Sequence, residues 1–485
     1  MNYMSWIYYL MVLVLLIVYY ILPKRIRWFV LLVGSMYFYS EIIDSKKQIV
    51  VFLFSIVISY LAAIILQKIK KTECIIVKRL VLFLGILLSV MPLLLEKIGS
   101  FLGESVVNMS NVSWIIPIGL SFYSLQIVAY LVDVYKGEVK AQINFLKYVL
   151  FISFFPQIIQ GPIPRFNQLD RELFDGNEYD FDNIMRGIQL VIWAFFLKYM
   201  IADKAAVIVD AVFDNYQAYS GVYIWVAAIL YSFQLYTDFL SCTTISQGVA
   251  QMFGIKLVNN FNHPYFSTSI KEFWRRWHMS LSSWLRDYVY IPLGGNRRGK
   301  FFKWSNLLVT FVVSGVWHGG RLHFIIWGAL HAFYQIIGEI IHDVVDKFGF
   351  EKYRMKSEKL ANILMRIGTF ILVMIAWIIF RADTLHVAIE MIKAMIVGFN
   401  PWVLFDDSLF ELGLNWKEFI VLFISLGVLG VVSMVQESGV KIRDWFSRQN
   451  TVTRWIIYLV AIWTIWIFGS YGYGFDTKDF IYGGF

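Results

Sequence analysis

The chain has 485 residues, of which 59% are hydrophobic, 18% aromatic and only 16% charged. Repeated apolar stretches near twenty residues long exclude a soluble enzyme and predict an all-α polytopic membrane protein. The formal charge of +9 would suggest a nucleic-acid partner in a soluble protein, but the basic residues cluster between apolar runs, where they set orientation, and no nucleic acid is expected.

In chain order, apolar runs predict helices over about 5–22, 28–42, 49–67, 80–95, 114–134 and 143–159. The first lacks a basic n-region and a small-residue cleavage site before Lys24, Arg25 and Arg27, so it reads as a permanent span. Cys74 and Cys242 are far apart, which indicates neither a disulfide framework nor a thiolate metal site. Placing the basic loop of Lys68, Lys70, Lys71, Lys78 and Arg79 in the cytoplasm puts the loops around 24–27, 136–140, 297–303, 352–366 and 441–454 there too. Both termini of this cell-membrane protein then face outside, as do the loops near 100–113 and 400–411, which are poor in lysine and arginine.

No linker or fixed-period repeat divides the chain. A single domain, 1–485, is expected: N-terminal spans over 1–142, a catalytic core with re-entrant segments over 143–345, C-terminal spans over 346–470 and an extracytoplasmic tail over 471–485. Within the core, FFPQIIQGPIPRF (154–166) carries three prolines and a glycine. Non-helical backbone at membrane depth survives only when buried in protein or lining a wet cavity, so a re-entrant loop is predicted.

Six of the seven histidines fall between 263 and 342. Ser269 and Glu272 form a capping box that predicts a helix ending before Pro292 and Gly294-Gly295. Phe273, Trp277, Leu281, Trp284 and Tyr288 make its apolar face; Lys271, Arg275, His278, Ser282 and Arg286 make a polar stripe. It reads in two ways. Either it is an interfacial helix whose arginines snorkel to lipid headgroups, or Arg275, Arg286, Arg297 and Arg298 form a cationic wall for a phosphorylated donor. Both readings leave His278 close to water.

His318 lies in VVSGVWHGGRLHF (312–324). Twelve residues from Asn306 to Trp317 make about 18 Å of helix, against a hydrocarbon core about 30 Å thick, so the His318-Gly319-Gly320 turn is expected inside the membrane. A histidine there is a functional candidate; the plainer alternative is a neutral imidazole tying two helices together. No HExxH occurs and no acidic residue lies between Asp287 and Glu339, so no metal site is expected. An imidazole of ordinary pKa about 6.5 suits proton abstraction from a hydroxyl. With no GxSxG elbow, P-loop or dinucleotide fingerprint, such a base would act on a hydroxyl brought to it, as in acyl transfer between two substrates.

The runs PIGLSFYSLQIVAYLVDVYKG (117–137), FFPQIIQGPIPRF (154–166), FNHPYFSTSIKEFWRRWHMSLSSWLRDYVYIPLGGNRRG (261–299), SGVWHGG (314–320) and FRAD (380–383) resemble membrane-bound O-acyltransferases of the alginate O-acetylase type. The resemblance covers nearly the whole chain. It implies a fold of about 11 to 13 membrane helices, re-entrant segments included, around a central funnel. It implies an acyltransferase that takes an acyl group, usually acetyl, from a cytoplasmic thioester and delivers it toward hydroxyls of an extracytoplasmic polysaccharide. Acetyl-coenzyme A is the expected donor, no cofactor is permanently bound, and an extracytoplasmic SGNH-type acetyltransferase is the expected partner. The family's catalytic histidine maps onto His318, and that of its RRWH helix onto His278. Departures are Gly320-Arg321-Leu322-His323 after the WHG motif, where small-Trp-Asn is common, and Phe239-Leu240-Ser241-Cys242, where Phe-Ser-Gly-Tyr is frequent.

A sister branch that handles D-alanine for teichoic acids, a polysaccharide or lipid flippase and a scaffold for an export complex are the alternatives. The chain ends in Phe480-Ile481-Tyr482-Gly483-Gly484-Phe485, which resembles the closing hexapeptide of several such acyltransferases. That likeness implies that Tyr482 accepts the acyl group and hands it on; otherwise these aromatics anchor the terminus at the interface.

Overall fold

The computed structural model describes residues 1–69, 74–102, 116–348 and 357–471. Those residues form helices, turns and coil, with no strand among them. Short polar side chains begin many of the helices by taking up orphan amides: Ser5 accepts from Tyr8, Asn144 from Lys147, and Asp180 from Asp182 and Asn183.

The first four predicted spans are α1 (Trp6–Ile21), α2 (Lys24–Ile42), α3 (Lys46–Lys68) and α4 (Ile75–Leu102), the last overrunning its expected ends. Next come α5 (Leu120–Lys136) and α6 (Phe145–Ser153). The span expected over 143–159 is corrected here: α6 has only nine residues. Pro156 bars the helical region to the residue before it and removes a donor, and the chain leaves the helix at Phe154.

The expected re-entrant loop follows. All of 154–165 is buried except the half-buried Ile159. Side chains from distant elements satisfy its backbone: Phe155 N–H donates to Ser35 Oγ at 3.1 Å, Ile163 N–H donates to Ser280 Oγ at 3.1 Å, and Tyr3 OH donates to the Phe155 carbonyl at 2.9 Å.

After α7 (Phe166–Phe174), α8 (Phe181–Phe195) continues through a π-helical turn, Phe196–Ala202, into α9 (Asp203–Phe213), and this rod packs along α10 (Val222–Met252). Then come the short α11 (Ile270–Arg276) and α12 (Met279–Leu285), a π-helical turn Arg286–Tyr290, and the hairpin of α13 (Lys300–His318) and α14 (Leu322–Lys347). The chain closes with α15 (Glu358–Arg381), α16 (Leu385–Val397), α17 (Trp416–Glu437), α18 (Ile442–Ser447) and α19 (Thr451–Phe468).

Among the described residues six helices are long and apolar enough to cross a membrane: α3, α4, α14, α15, α17 and α19. The apolar α1 is shorter, at 16 residues. The protein is an all-α polytopic membrane protein. Its core around the histidine-rich segment is aromatic: Trp377 of α15 lies 5.0 Å from Trp277 and 5.7 Å from Trp327 of α14, centroid to centroid.

Candidate active site

The hairpin of α13 and α14 is held at both ends. At its open end Lys300 pairs with Asp343 at 2.5 Å and Lys303 pairs with Glu339. Toward its closed end two glycines let the backbones touch: a Cβ on Gly315 would strike the Phe324 carbonyl, and one on Gly328 would strike the Phe311 carbonyl. His318 is the last helical residue before the turn. Because the paired first turn is helical too, α13 has 19 residues, about 28 Å. The sequence expectation of a twelve-residue, 18 Å approach is therefore corrected, and His318 stands nearly a full hydrocarbon thickness from Lys300.

His318 is 3% exposed and lines a cavity of about 460 Å³ beside the hairpin turn. Trp317, Trp327 and Phe380 surround its ring at centroid distances of 4.7, 5.1 and 5.4 Å, all edge-on. Three cationic side chains share the cavity wall with His318, and two of them are held by carboxylates. Lys97 of α4 pairs with Glu96 at 3.0 Å, and Arg381 of α15 is held by Asp210 at 3.0 Å and Asp214 at 2.9 Å. Arg321 and His323, which follow the WHG motif, also line it.

His278 is placed differently from the sequence expectation. The helix predicted from Ser269 to before Pro292 is broken at Trp277, and His278 takes the left-handed conformation, φ 42°, which few non-glycine residues adopt. The loop before α11 holds the break from both sides: Asn262 N–H donates to the Arg276 carbonyl at 2.9 Å, and Met279 N–H donates to the Asn260 carbonyl at 2.8 Å. The capping box is also displaced by one residue. Ser269 Oγ accepts from Glu272 N–H, but the Glu272 carboxylate accepts from Thr268.

Because the break turns α12 relative to α11, the polar stripe is not continuous. His278 is 1% exposed and packs against Phe239 at 4.7 Å and Trp317 at 6.1 Å, so the expectation that it lies close to water is corrected. Neither of its ring nitrogens has a hydrogen-bond partner among the described residues. Arg275, Arg286, Arg297 and Arg298 are all exposed, and none lines the His318 cavity. Arg286 pairs with its neighbour Asp287 at 2.8 Å. Tyr482 lies outside the described residues.

Sequence reasoning missed three features. His331 is fully buried; its ring lies 5.1 Å from Trp327, which is itself 5.1 Å from His318. Trp317 and Trp327 thus join His278, His318 and His331 into one row. Lys97 and Arg381 on the cavity wall were the second omission, and the buried pairing of Lys198 with Asp238 at 2.7 Å and Asp203 at 2.9 Å was the third. The available signal was the same for Lys97, Lys198 and Asp238: a charge inside an apolar run.

A family model described as membrane-bound O-acyltransferase matches residues 136–380, which takes in both His278 and His318. The chain belongs to the membrane-bound O-acyltransferase family. It is 36% identical to a probable alginate O-acetylase of Pseudomonas syringae pv. tomato over 66% of this chain and 60% of that protein. It is 35% identical to a peptidoglycan O-acetyltransferase of Helicobacter pylori over 77% and 74%, and 30% identical to a teichoic acid D-alanyltransferase of Bacillus subtilis over 62% and 78%. The match therefore spans about three fifths of the alginate relative's length.

Proposed function

We propose that this membrane-bound O-acyltransferase family member transfers an acyl group, acetyl in the first instance, from a cytoplasmic thioester, acetyl-coenzyme A, toward hydroxyls of an extracytoplasmic polysaccharide. The observation that carries the reading is His318: a buried imidazole on the wall of a cavity, at the opposite end of α13 from Arg297 and Arg298. A base so placed abstracts the proton of an incoming hydroxyl as that oxygen attacks the thioester carbonyl. The thiolate leaves, and the imidazolium returns the proton. Lys97 and Arg381, though already paired with carboxylates, present N–H donors on the cavity wall toward the carbonyl oxygen on which negative charge develops. Arg275, Arg286, Arg297 and Arg298 are the donor-side contacts in this reading, and His278, which reaches His318 through Trp317, is the second histidine of the site.

Tyr482 is the first acceptor in the proposal. Its phenol, of ordinary pKa about 10, makes a better leaving group than a sugar hydroxyl, so an acyl-tyrosine can hand the group to an extracytoplasmic SGNH-type acetyltransferase. Chain length supports the reach. Ser470 N–H donates to the Tyr199 carbonyl at 3.1 Å, next to the Lys198 that pairs with Asp238, and Tyr231 of the cavity wall lies seven residues back along α10, about 10 Å. Eleven residues from Tyr471 to Tyr482 span at most about 36 to 40 Å.

D-alanyl transfer to teichoic acid is the second reading, and the Bacillus subtilis relative favours it. The test offers purified protein acetyl or D-alanyl thioester without any partner and weighs the C-terminal peptide. An acetyl adduct on Tyr482, absent from Tyr482→Phe, is the expected result. An adduct only from the D-alanyl donor selects the second reading, and no adduct from either rules out the tyrosine relay.

A further inference from the structure

The last helix is poorly supported by the rest of the protein. Only 6% of the α19 span is buried, against 39% for α3 and 44% for α15. Between α19 and the rod of α8 and its π-helical turn, with α17 along the side, lies a second cavity of about 420 Å³, within the usual range for small ligands of about 300 to 1,000 Å³. Its walls are apolar along most of their length, with Trp193, Phe196, Val428 and Ile465 among them. Walls facing a void forgo dispersion contacts, and lipid tails are as apolar as leucine.

The cavity has a polar end. Gln436 closes α17 there and Arg443 of α18 projects to it. Arg454 stands on the same face of α19 as Tyr458 and Ala461 of the lining, one turn nearer the start of that helix. The acids near this end are occupied elsewhere: Asp444 pairs with Arg186 at 2.8 Å, and Glu437 pairs with Arg276 at 2.8 Å. Arg443 donates to the neutral Gln251 amide oxygen at 3.0 Å and lies near Arg186 and the Asp444 that Arg186 already holds, and the buried Arg454 Nε has no partner among the described residues.

We infer that this groove holds one anionic phospholipid of the leaflet next to α18, with an acyl chain along the apolar wall and its phosphate on Arg443 and Arg454. Apolar depth, a cationic mouth and a helix with few protein contacts match the two ends of that molecule. The lipid serves as packing for α19, and so fixes the helix from which the C-terminal tail departs. This inference does not depend on the chemistry at His318.

The test is native mass spectrometry of the full-length protein purified in mild detergent, then returned to nanodiscs of phosphatidylcholine alone or with phosphatidylglycerol. Wild type is expected to retain one phosphatidylglycerol and to melt higher in the mixed discs. Arg443→Gln with Arg454→Gln should weaken retention on the order of tenfold. Ala461→Trp, which fills the groove, should expel the lipid without needing the arginines, whereas Leu459→Trp on the exposed face of α19 should keep it. Retention unchanged in both the double arginine variant and Ala461→Trp, or equal retention of phosphatidylcholine, overturns the proposal.

Discussion

At the scale of single residues, His318 was legible because its type is out of place among apolar neighbours, and its cavity and aromatic cage bear out its burial. His318→Ala and His318→Gln are expected to lower polymer O-acetylation by on the order of 100-fold to 10,000-fold with unchanged amounts of membrane protein; retention of about a tenth or more of wild-type activity would argue against a general base there. His278 was legible as a candidate but misplaced, since periodicity assumes a helix that continues and cannot register a left-handed residue at position 278. The arginines carry a separate prediction. Arg286→Gln and Arg275→Gln should raise the donor's KM more than they lower kcat, because they remove binding common to ground and transition states. If Arg297→Gln and Arg298→Gln instead reduce the inserted protein with unaltered kinetics, those two are lipid anchors.

At the scale of elements, helices with a polar cap before an apolar run were readable to within a few residues, as for α1 and α3. Elements fixed by long-range contacts were not. The end of α6 follows from Pro156, which the sequence displays, but the break between α11 and α12 depends on backbone pairing with Asn260 and Asn262, which no local pattern announces. The hairpin of α13 and α14 depends on contact at Gly315 and Gly328. Alanine at either position should destabilise the protein by about 1 to 3 kcal/mol through overpacking, read as a lowered unfolding midpoint in detergent. Gly338→Ala, on the same α14 with no described residue within 4 Å of a Cβ, should leave that midpoint unchanged or raise it slightly. Equal effects at all three glycines would mean that close approach is not what holds the hairpin.

At the scale of the whole molecule, composition was enough for the all-helical membrane class, and the motif runs were enough for the family. The orientation rests on the basic loops, which predicts that exposed Cys74 reacts with a membrane-impermeant maleimide only after cells are permeabilised, whereas a cysteine placed at Ser408 reacts in intact cells. Reaction of Cys74 in intact cells would invert the orientation. The central claim is that the chain takes an acyl group from a thioester through His318. Purified protein in proteoliposomes, supplied with acetyl-coenzyme A carrying a labelled acetyl group, tests it most directly. Wild type is expected to release coenzyme A and leave label in ester linkage, while His318→Gln does neither. Wild-type and variant vesicles that consume the donor equally, or a wild type that consumes none, would contradict it.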